Sequence, residues 1–265
     1  MNISHFAPPL DRETFVRPIA HRGLHTGARV AATPNPVIEN TASAFHAAIL
    51  KGVGIECDVR TTADHQPVVF HDPTTKRLLD CDFNISALTA SDCTKLRYPN
   101  TDDHILSVSD ALDLVRGKVP IFFEIKSAWG TDQSAFISNL ADHLRAYNGP
   151  AAVMSFDPKP LEIMCERYPQ LPRGIVAAPF SDMQKRPSER TAETARKLAN
   201  LALCERAAPS FVAYNVDALP TSQTIALRNH GWPVFAWTVR TSAQWDRAHA
   251  HADAPIFEDV DPPDE

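Results

Sequence analysis

Basic residues are not in excess in this sequence of 265 residues, which contains 26 Lys and Arg against 32 Asp and Glu. The formal net charge is −6, and no segment forms the basic stripe with which nucleic-acid-binding proteins neutralise phosphates. We therefore expect no nucleic-acid partner. A small anionic ligand is not excluded by this charge balance, because one or two local cations suffice to bind it.

Cysteine and long apolar runs are also scarce. Neither a structural zinc site nor a disulfide framework is predicted, because no CxxC pair occurs, and reduced thiols are typical of a cytoplasmic protein. The chain lacks the stretch of about 18 apolar residues that would predict a transmembrane helix, and residues 1–15 lack the pattern of a signal peptide. We expect a cytoplasmic protein without stable membrane association. The five scattered cysteines are Cys57, Cys81, Cys93, Cys165 and Cys204.

Short β-rich runs alternate with helical patterns along the chain. Residues 41–49 are typical of the helical stretches, since their apolar residues form one stripe. Eight strands in such alternation favour an α/β fold of the (β/α)₈ TIM barrel type over an open doubly wound sheet. The predicted strands are residues 17–21, 55–59, 119–126, 152–155, 174–177, 211–214, 234–239 and 255–257, and the longest helix is predicted at 189–205.

One irregular segment follows the second predicted strand. Residues 61–107 contain a further strand at 67–70, several turn residues and a short helix at 89–96. We predict a single barrel domain over residues 1–265 in which this segment is a small insertion. In a barrel, such a connection lies over the face that carries the active site.

Carboxylates lie at the ends of two predicted strands. Side chains alternate along a strand, so Glu56 and Asp58 share one face, as do Glu124 and Lys126. Inward-facing carboxylates are costly to bury unless a cation compensates them. Glu56, Asp58 and Glu124 together would suit a hard divalent cation such as Mg²⁺ or Ca²⁺, because oxygen-only ligation is unfavourable for zinc.

Two histidines, His21 and His71, also end predicted strands. A pair of imidazoles can flank a phosphorus, one accepting a proton from the attacking oxygen and one donating a proton to the leaving oxygen. The planar guanidinium of Arg22 can donate two hydrogen bonds to phosphate oxygens, and Lys126 adds a second positive charge. Each residue alone also has a structural interpretation, so it is the combination that predicts phosphodiester chemistry.

These residues belong to motifs that span nearly the whole chain, and in their order they resemble the glycerophosphodiester phosphodiesterase family of the cytoplasmic bacterial type. Two features depart from that family. The loop between Gly23 and Glu39 is longer than usual, and Phe257-Glu258 replaces a common Thr-Asp pair. The motifs are Ile19-Ala20-His21-Arg22-Gly23, Glu39-Asn40-Thr41, Glu56-Cys57-Asp58-Val59, Val68-Val69-Phe70-His71-Asp72, Glu124-Ile125-Lys126, Ser155-Phe156-Asp157-Pro158, Phe235-Ala236-Trp237-Thr238-Val239 and Ile256-Phe257-Glu258.

The resemblance implies metal-dependent hydrolysis of glycerophosphodiesters to glycerol 3-phosphate and an alcohol. It also implies a (β/α)₈ barrel with a small insertion after its second strand. Glu39 would simply start the helix that follows it. The implied site consists of the acid–base pair His21 and His71, the substrate-binding residues Arg22, Lys126 and Trp237, and the ligands of one Mg²⁺ or Ca²⁺ ion, Glu56, Asp58 and Glu124. For Trp237, packing in the core is an equally good interpretation.

Two other functions stay open at this point. A lysophospholipase D-like enzyme, or another small-phosphodiester hydrolase on the same barrel, would need an apolar rim near the insertion. The insertion instead carries several aspartates, which disfavours an anionic membrane surface. A non-catalytic binding barrel predicts the loss of a histidine or a metal carboxylate, and all five of these residues are present.

Overall fold

Strands and helices alternate in the computed structural model, which describes residues 6–26, 36–179 and 192–262. The strands are β1 (Ile19–Ala20), β2 (Gly54–Thr61), β3 (Pro67–Val69), β4 (Leu106–Ser107), β5 (Ile121–Ile125), β6 (Ala151–Ser155), β7 (Arg173–Ala177), β8 (Phe211–Asn215), β9 (Val234–Val239) and β10 (Ala254–Phe257). The helices are α1 (Arg12–Phe15), α2 (Ala42–Lys51), α3 (Ala90–Cys93), α4 (Val108–Val115), α5 (Ser134–Ala146), α6 (Pro158–Arg167), α7 (Ala192–Ala199), α8 (Ser222–Asn229) and α9 (Ser242–His251). Short 3₁₀ helices occur at Thr75–Arg77, Ile85–Ala87 and Val216–Ala218.

The hydrogen-bonded order of the strands is that of a (β/α)₈ barrel. From β1 the order runs through β10, β9, β8, β7, β6 and β5 to β2, which pairs in parallel with β1 again. The antiparallel strands β3 and β4 continue from β2 outside this ring. Each of the eight predicted strands overlaps one strand of the ring, so the prediction of a TIM barrel is confirmed.

The chain divides into two compact units. The first unit contains Ile19–Lys126 and Ser134–Ala151, and the second contains Met1–Pro18, Ser127–Gln133 and Ala152–Glu265. The assignment of the whole chain to one domain stays a prediction. Most of the long loop before Glu39, residues 27–35, lies outside the described residues.

In the first unit, a well-capped helix leads into the strand that carries two of the predicted carboxylates. The Thr41 hydroxyl accepts a hydrogen bond from the Ala44 amide and caps α2, which ends at Gly52 in the left-handed conformation, with φ of 73°. β2 follows and is buried from Gly54 to Val59. It pairs in parallel with β5 in a register that aligns Asp58 with Glu124.

The predicted insertion has a hydrophobic core of its own. The predicted strand at 67–70 is observed as β3, but α3 is shorter than the predicted helix at 89–96. The chain leaves the helix early because the Leu96 carbonyl accepts a hydrogen bond from the Ile105 amide, and Arg97 forms a bridge with His104. The buried core of this segment comprises Val68, Phe70, Leu79, Ile85, Cys93, Tyr98 and Ile105.

The second unit contains the parallel strands β7, β8, β9 and β10 and most of β6. The helix predicted at 189–205 is observed only in part, as α7, with residues 189–191 outside the described residues. The prediction that it is the longest helix is wrong for the part of the chain that the structure describes, since α5 has 13 residues and α7 has 8. Helix α7 ends near Ala199 because Leu201 takes a positive φ of 57°, which breaks the helical path. Within the described part of the chain, no helix is both long enough and apolar enough to cross a bilayer.

Candidate active site

Three carboxylates meet at the ends of β2 and β5 in the first unit. Glu56 and Asp58 are fully buried, and Glu124 is 7% exposed. One oxygen from each carboxylate lies within 4.8 Å of the others. Such a cluster of hard oxygen donors can hold a divalent cation, which would also compensate the cost of burying three acidic groups.

Glu56 has the environment that most favours a bound cation. Its Oε2 accepts a hydrogen bond of 3.0 Å from the Arg22 amide, whereas Oε1 is buried and accepts no hydrogen bond from any described residue. Burial, followed by repulsion from Asp58 and Glu124, raises the pKa of the Glu56 carboxyl well above its usual range. The three acidic side chains therefore fit an oxygen-ligated divalent ion.

Asp58 is surrounded by donors and cations. The Asn40 side chain binds it twice, donating from Nδ2 to Asp58 Oδ2 at 2.9 Å and accepting from the Asp58 amide at 3.1 Å. Lys126 Nζ lies 2.8 Å from Oδ1, and Arg22 Nε lies 3.2 Å from Oδ2. Burial alone would raise the pKa of Asp58, but Lys126 and Arg22 outweigh it and hold that pKa well below its usual range.

Lys126 joins two of the three carboxylates. Its Nζ donates to Glu124 Oε1 at 2.5 Å and also contacts Asp58. Burial would lower the pKa of Lys126, but the surrounding carboxylates, Asp58 and Glu124 first among them, raise it overall. The lysine is therefore held in its charged form beside the acidic cluster.

Both predicted histidines lie near this cluster. His21 Nε2 is 3.8 Å from Glu56 Oε2, and His71 Nδ1 is 2.6 Å from Asp72 Oδ1. Both imidazoles favour the charged form of Asp58, which places them within electrostatic range of the same carboxylate. Burial is the largest influence on His71 and lowers its pKa, although Asp58 and Asp72 act in the opposite direction.

A chain of ion pairs connects Arg22 with His71, and sequence reasoning missed most of it. Arg22 Nη1 donates to Glu39 at 2.8 Å, and Arg77 donates to both oxygens of Glu39 at 2.9 and 2.7 Å. Arg77 Nε also donates to Asp72 at 2.5 Å, and Asp72 in turn holds His71. Glu39 therefore binds two arginines, which differs from the expectation that it simply starts the helix. The residue that caps α2 is Thr41.

Other residues absent from the predicted site are Asn40, Asp72, Arg77 and Arg60. Asn40 and Asp72 each belong to a motif that the sequence analysis quotes, which was an available signal. Arg60 follows Asp58 by two residues, so strand alternation could have found it. Its Nε donates to the His71 carbonyl at 2.6 Å. Arg77 lies outside every motif, and one of its two partners, Glu39, is 38 residues away in sequence.

Trp237 lies on β9 in the second unit, unlike the other predicted site residues, which all belong to the first. Its indole is half-buried and packs edge-on against Phe156, with the ring centroids 5.3 Å apart. This edge-on contact is typical of packing between two aromatic side chains. The role of Trp237 in lining the substrate pocket stays a prediction.

Comparison with known proteins identifies similar sequences and structures. The model of the Glycerophosphoryl diester phosphodiesterase family matches residues 21–261. Glycerophosphodiester phosphodiesterase 1 of Mus musculus is 28% identical over 183 residues, which make up 65% of this chain and 51% of the mouse protein. The chain thus spans about half the length of this curated relative.

Solved structures share the fold at low sequence identity. A phosphodiesterase of Oleispira antarctica, determined in complex with the product sn-glycerol-3-phosphate, superposes with a TM-score of 0.72 at 20% identity, over 92% of both chains. A glycerophosphodiester phosphodiesterase of Thermotoga maritima gives a TM-score of 0.67 at 22% identity, over 92% of this chain and 94% of the other. These similarities support the barrel fold independently of the strand pairing.

Proposed function

Because this chain belongs to the Glycerophosphoryl diester phosphodiesterase family, we propose that it hydrolyses glycerophosphodiesters to glycerol 3-phosphate and an alcohol such as choline or ethanolamine. The observation that carries this proposal is the buried cluster of Glu56, Asp58 and Glu124 with both histidines in electrostatic range of it. The product named for the Oleispira antarctica structure, sn-glycerol-3-phosphate, supports the same substrate class.

In this proposal Glu56, Asp58 and Glu124 hold one divalent cation, either Mg²⁺ or Ca²⁺. An ion held by these residues would neutralise charge on the phosphoryl group. Asn40 keeps the Asp58 carboxylate in place through its two hydrogen bonds. The oxygen-only donor set and the unsatisfied Oε1 of Glu56 support this assignment.

His21 and His71 carry the two proton transfers. One accepts a proton from the attacking oxygen, and the other donates a proton to the oxygen of the leaving alcohol. Asp72 bonds to Nδ1 of His71, which fixes the ring and leaves Nε2 as the nitrogen that exchanges the proton.

Arg22 and Lys126 supply positive charge to the phosphate in this proposal, and Trp237 lines the pocket for the rest of the substrate. Both cations are oriented by carboxylates, Arg22 by Glu39 and Asp58, and Lys126 by Asp58 and Glu124. Cations held in this way need little rearrangement when the substrate arrives.

The partner in this proposal is a small phosphodiester in the cytoplasm. The net charge of −6 agrees with the absence of a nucleic-acid partner and of stable association with an anionic membrane.

A release assay tests the proposal. We expect the protein to release choline from glycerophosphocholine, to lose this activity in excess EDTA, and to regain it with Mg²⁺ or Ca²⁺. His21→Ala and His71→Ala should each lower kcat by about 10²–10⁴-fold, because each removes one proton transfer. Exposed His249→Ala, on α9, is the matched control and should retain wild-type kcat.

Three results would contradict parts of this proposal. Full turnover by a metal-free protein would exclude the cation. Near wild-type kcat in one of the two histidine variants would exclude that histidine from the chemistry. Choline release from lysophosphatidylcholine, without release from glycerophosphocholine, would replace the proposed substrate with a lipid.

A further inference from the structure

Arg60 is a cation of the candidate site to which neither the family motifs nor the proposed chemistry assigns a role. It lies on β2, two residues after Asp58 and four after Glu56, so the three side chains emerge on the same side of the strand. The register of β2 and β5 aligns Asp58 with Glu124, and the Lys126 amide donates to the Val59 carbonyl. Arg60 is therefore the next residue after Asp58 on the side of β2 that carries the carboxylates.

The contacts of Arg60 differ from those of the other cations around it. Arg22 contacts Glu39 and Asp58, Arg77 contacts Glu39 and Asp72, and Lys126 contacts Asp58 and Glu124. Arg60 forms no ion pair with any residue that the structure describes. Its hydrogen bond to described residues is the one from Nε to the His71 carbonyl.

This geometry leaves the charged end of the side chain available. The bond from Nε fixes the plane of the guanidinium, while Nη1 and Nη2 make no hydrogen bond with described residues. The side chain is half-buried, and a charge partly removed from water is costly unless an opposite charge meets it. The four N–H groups on Nη1 and Nη2 match the spacing of two oxygens of a phosphate.

We propose that Arg60 is a phosphate-binding residue, whose terminal nitrogens bind non-bridging oxygens of the phosphodiester and of the phosphomonoester product. This inference rests on the proposed function for the identity of the substrate. In the proposed site, Arg22 and Lys126 reach the phosphate while they are also bound to carboxylates, whereas Arg60 forms no ion pair with a described residue and adds its charge to the ligand. Its bond to the His71 carbonyl sets the phosphate beside the imidazole.

Direct binding measurements test this role without depending on turnover. Isothermal titration of the Mg²⁺-loaded protein with glycerol 3-phosphate, and separately with inorganic phosphate, should give a Kd about 10- to 100-fold higher for Arg60→Gln than for wild type. Arg60→Lys should fall between them, because it keeps the charge but loses the two-pronged donor.

The matched control is Arg116→Gln. Arg116 is exposed at the end of α4, and its Nε likewise donates to a backbone carbonyl, that of Asp113. This variant should bind both ligands like wild type. The melting temperature and the Mg²⁺ affinity of each variant show whether the fold and the acidic cluster are intact.

A Kd for Arg60→Gln or Arg60→Lys within twofold of wild type would overturn the inference. So would a loss of kcat in either variant with unchanged ligand binding, since that pattern assigns Arg60 only to the support of His71. Absence of phosphate binding by the wild-type protein would overturn it too. If the wild type binds phosphate through Arg60 but hydrolyses no glycerophosphodiester, the proposed function fails and this inference stands.

Discussion

At the scale of single residues, the candidate site depends on how buried charges compensate one another. Lys126 is surrounded by acidic side chains, and two of them, Asp58 and Glu124, contact its ammonium directly. Glu56 lacks a comparable cation and has a raised pKa because of burial and of its two acidic neighbours. Without a metal ion, Glu56 therefore opposes folding whenever it is ionised.

The substitution Glu56→Gln tests this conclusion about the Glu56 charge. The substitution removes the repelled charge but keeps the shape, so the protein in EDTA should melt at a higher temperature than wild type at neutral pH. It should also bind Mg²⁺ more weakly, because a ligand is lost. A ligand at 100 times its Kd stabilises a protein by about 2.7 kcal/mol, so the gain in melting temperature on adding Mg²⁺ should shrink.

The pH dependence of this effect has a definite sign. A carboxyl whose pKa is raised on folding binds more protons in the folded state, so it supports stability at low pH and loses that support as pH rises. In EDTA, wild type should lose stability relative to Glu56→Gln as pH rises above the usual carboxyl range. Exposed Glu166→Gln is the control. A lower melting temperature for Glu56→Gln at neutral pH in EDTA would contradict the prediction.

At the scale of elements, Arg77 links the inserted segment to the start of α2. It lies in the 3₁₀ helix Thr75–Arg77 and contacts Glu39, two residues before the cap of α2, as well as Asp72. Through Asp72, this link reaches the ring of His71. A change in the insertion can therefore alter the orientation of a proposed catalytic residue.

Arg77→Gln tests this link. Glu39 and Asp72 would lose their shared cation, and Asp72 would hold His71 less firmly, so kcat should fall by about 10- to 100-fold with little change in Mg²⁺ affinity. The loss of stability should be modest, about 1 kcal/mol, because the Arg77 side chain is 46% exposed. Arg97→Gln, an exposed arginine in the same insertion, is the control and should retain wild-type kcat and stability.

The stability difference for Arg77→Gln should depend on pH. Burial would raise the pKa values of Glu39 and Asp72, but Arg77 and their other partners lower both overall. Such groups add stability above their unfolded pKa and lose it as pH falls. The gap in melting temperature between wild type and variant should therefore be widest near neutral pH and narrow below about pH 4. A gap that widens in acid would contradict this account.

The elements also explain what the sequence could predict. Strand alternation predicted that Glu56 and Asp58 share one face and that Glu124 and Lys126 share another, and the structure brings all four together. Local patterns could not reveal Arg77, because it binds Glu39 across 38 residues of sequence. The early end of α3 was missed for a similar reason. The Leu96 carbonyl accepts its hydrogen bond from the amide of Ile105, a residue further along the chain, and so does not continue the helix.

At the scale of the whole molecule, the thiols give a check on burial in both units. Cys57, Cys93 and Cys204 are buried, whereas Cys81 and Cys165 are half-buried. Burial raises the pKa of Cys93 to about 11 and that of Cys204 to about 12, and it raises the pKa of Cys57 as well. The buried thiols are therefore protonated at neutral pH and shielded from reagents.

We predict that Ellman's reagent at pH 8 modifies two thiols quickly in the native protein and three more only after unfolding. Cys81→Ser and Cys165→Ser should each remove one fast equivalent. Cys204→Ser should leave the fast count at two. Rapid modification of all five thiols in the native protein would show that the cores of the two units are more open than the structure indicates.

The hydrophobic core of the insertion has a consequence for how members of this family can diversify. His71, Asp72 and Arg77 precede most of the residues that fill this core. Residues 81–85 support the turn that carries Arg77, because Thr75 bonds to Cys81 and Phe83 and Thr74 pairs with Asn84. Sequence drift after Ile85 can therefore change the rest of the insertion while the link from Arg77 through Asp72 to His71 is kept. Exchange of residues 86–102 between family members should therefore be tolerated with little loss of kcat, provided that residue 98 still fills the core around Phe70.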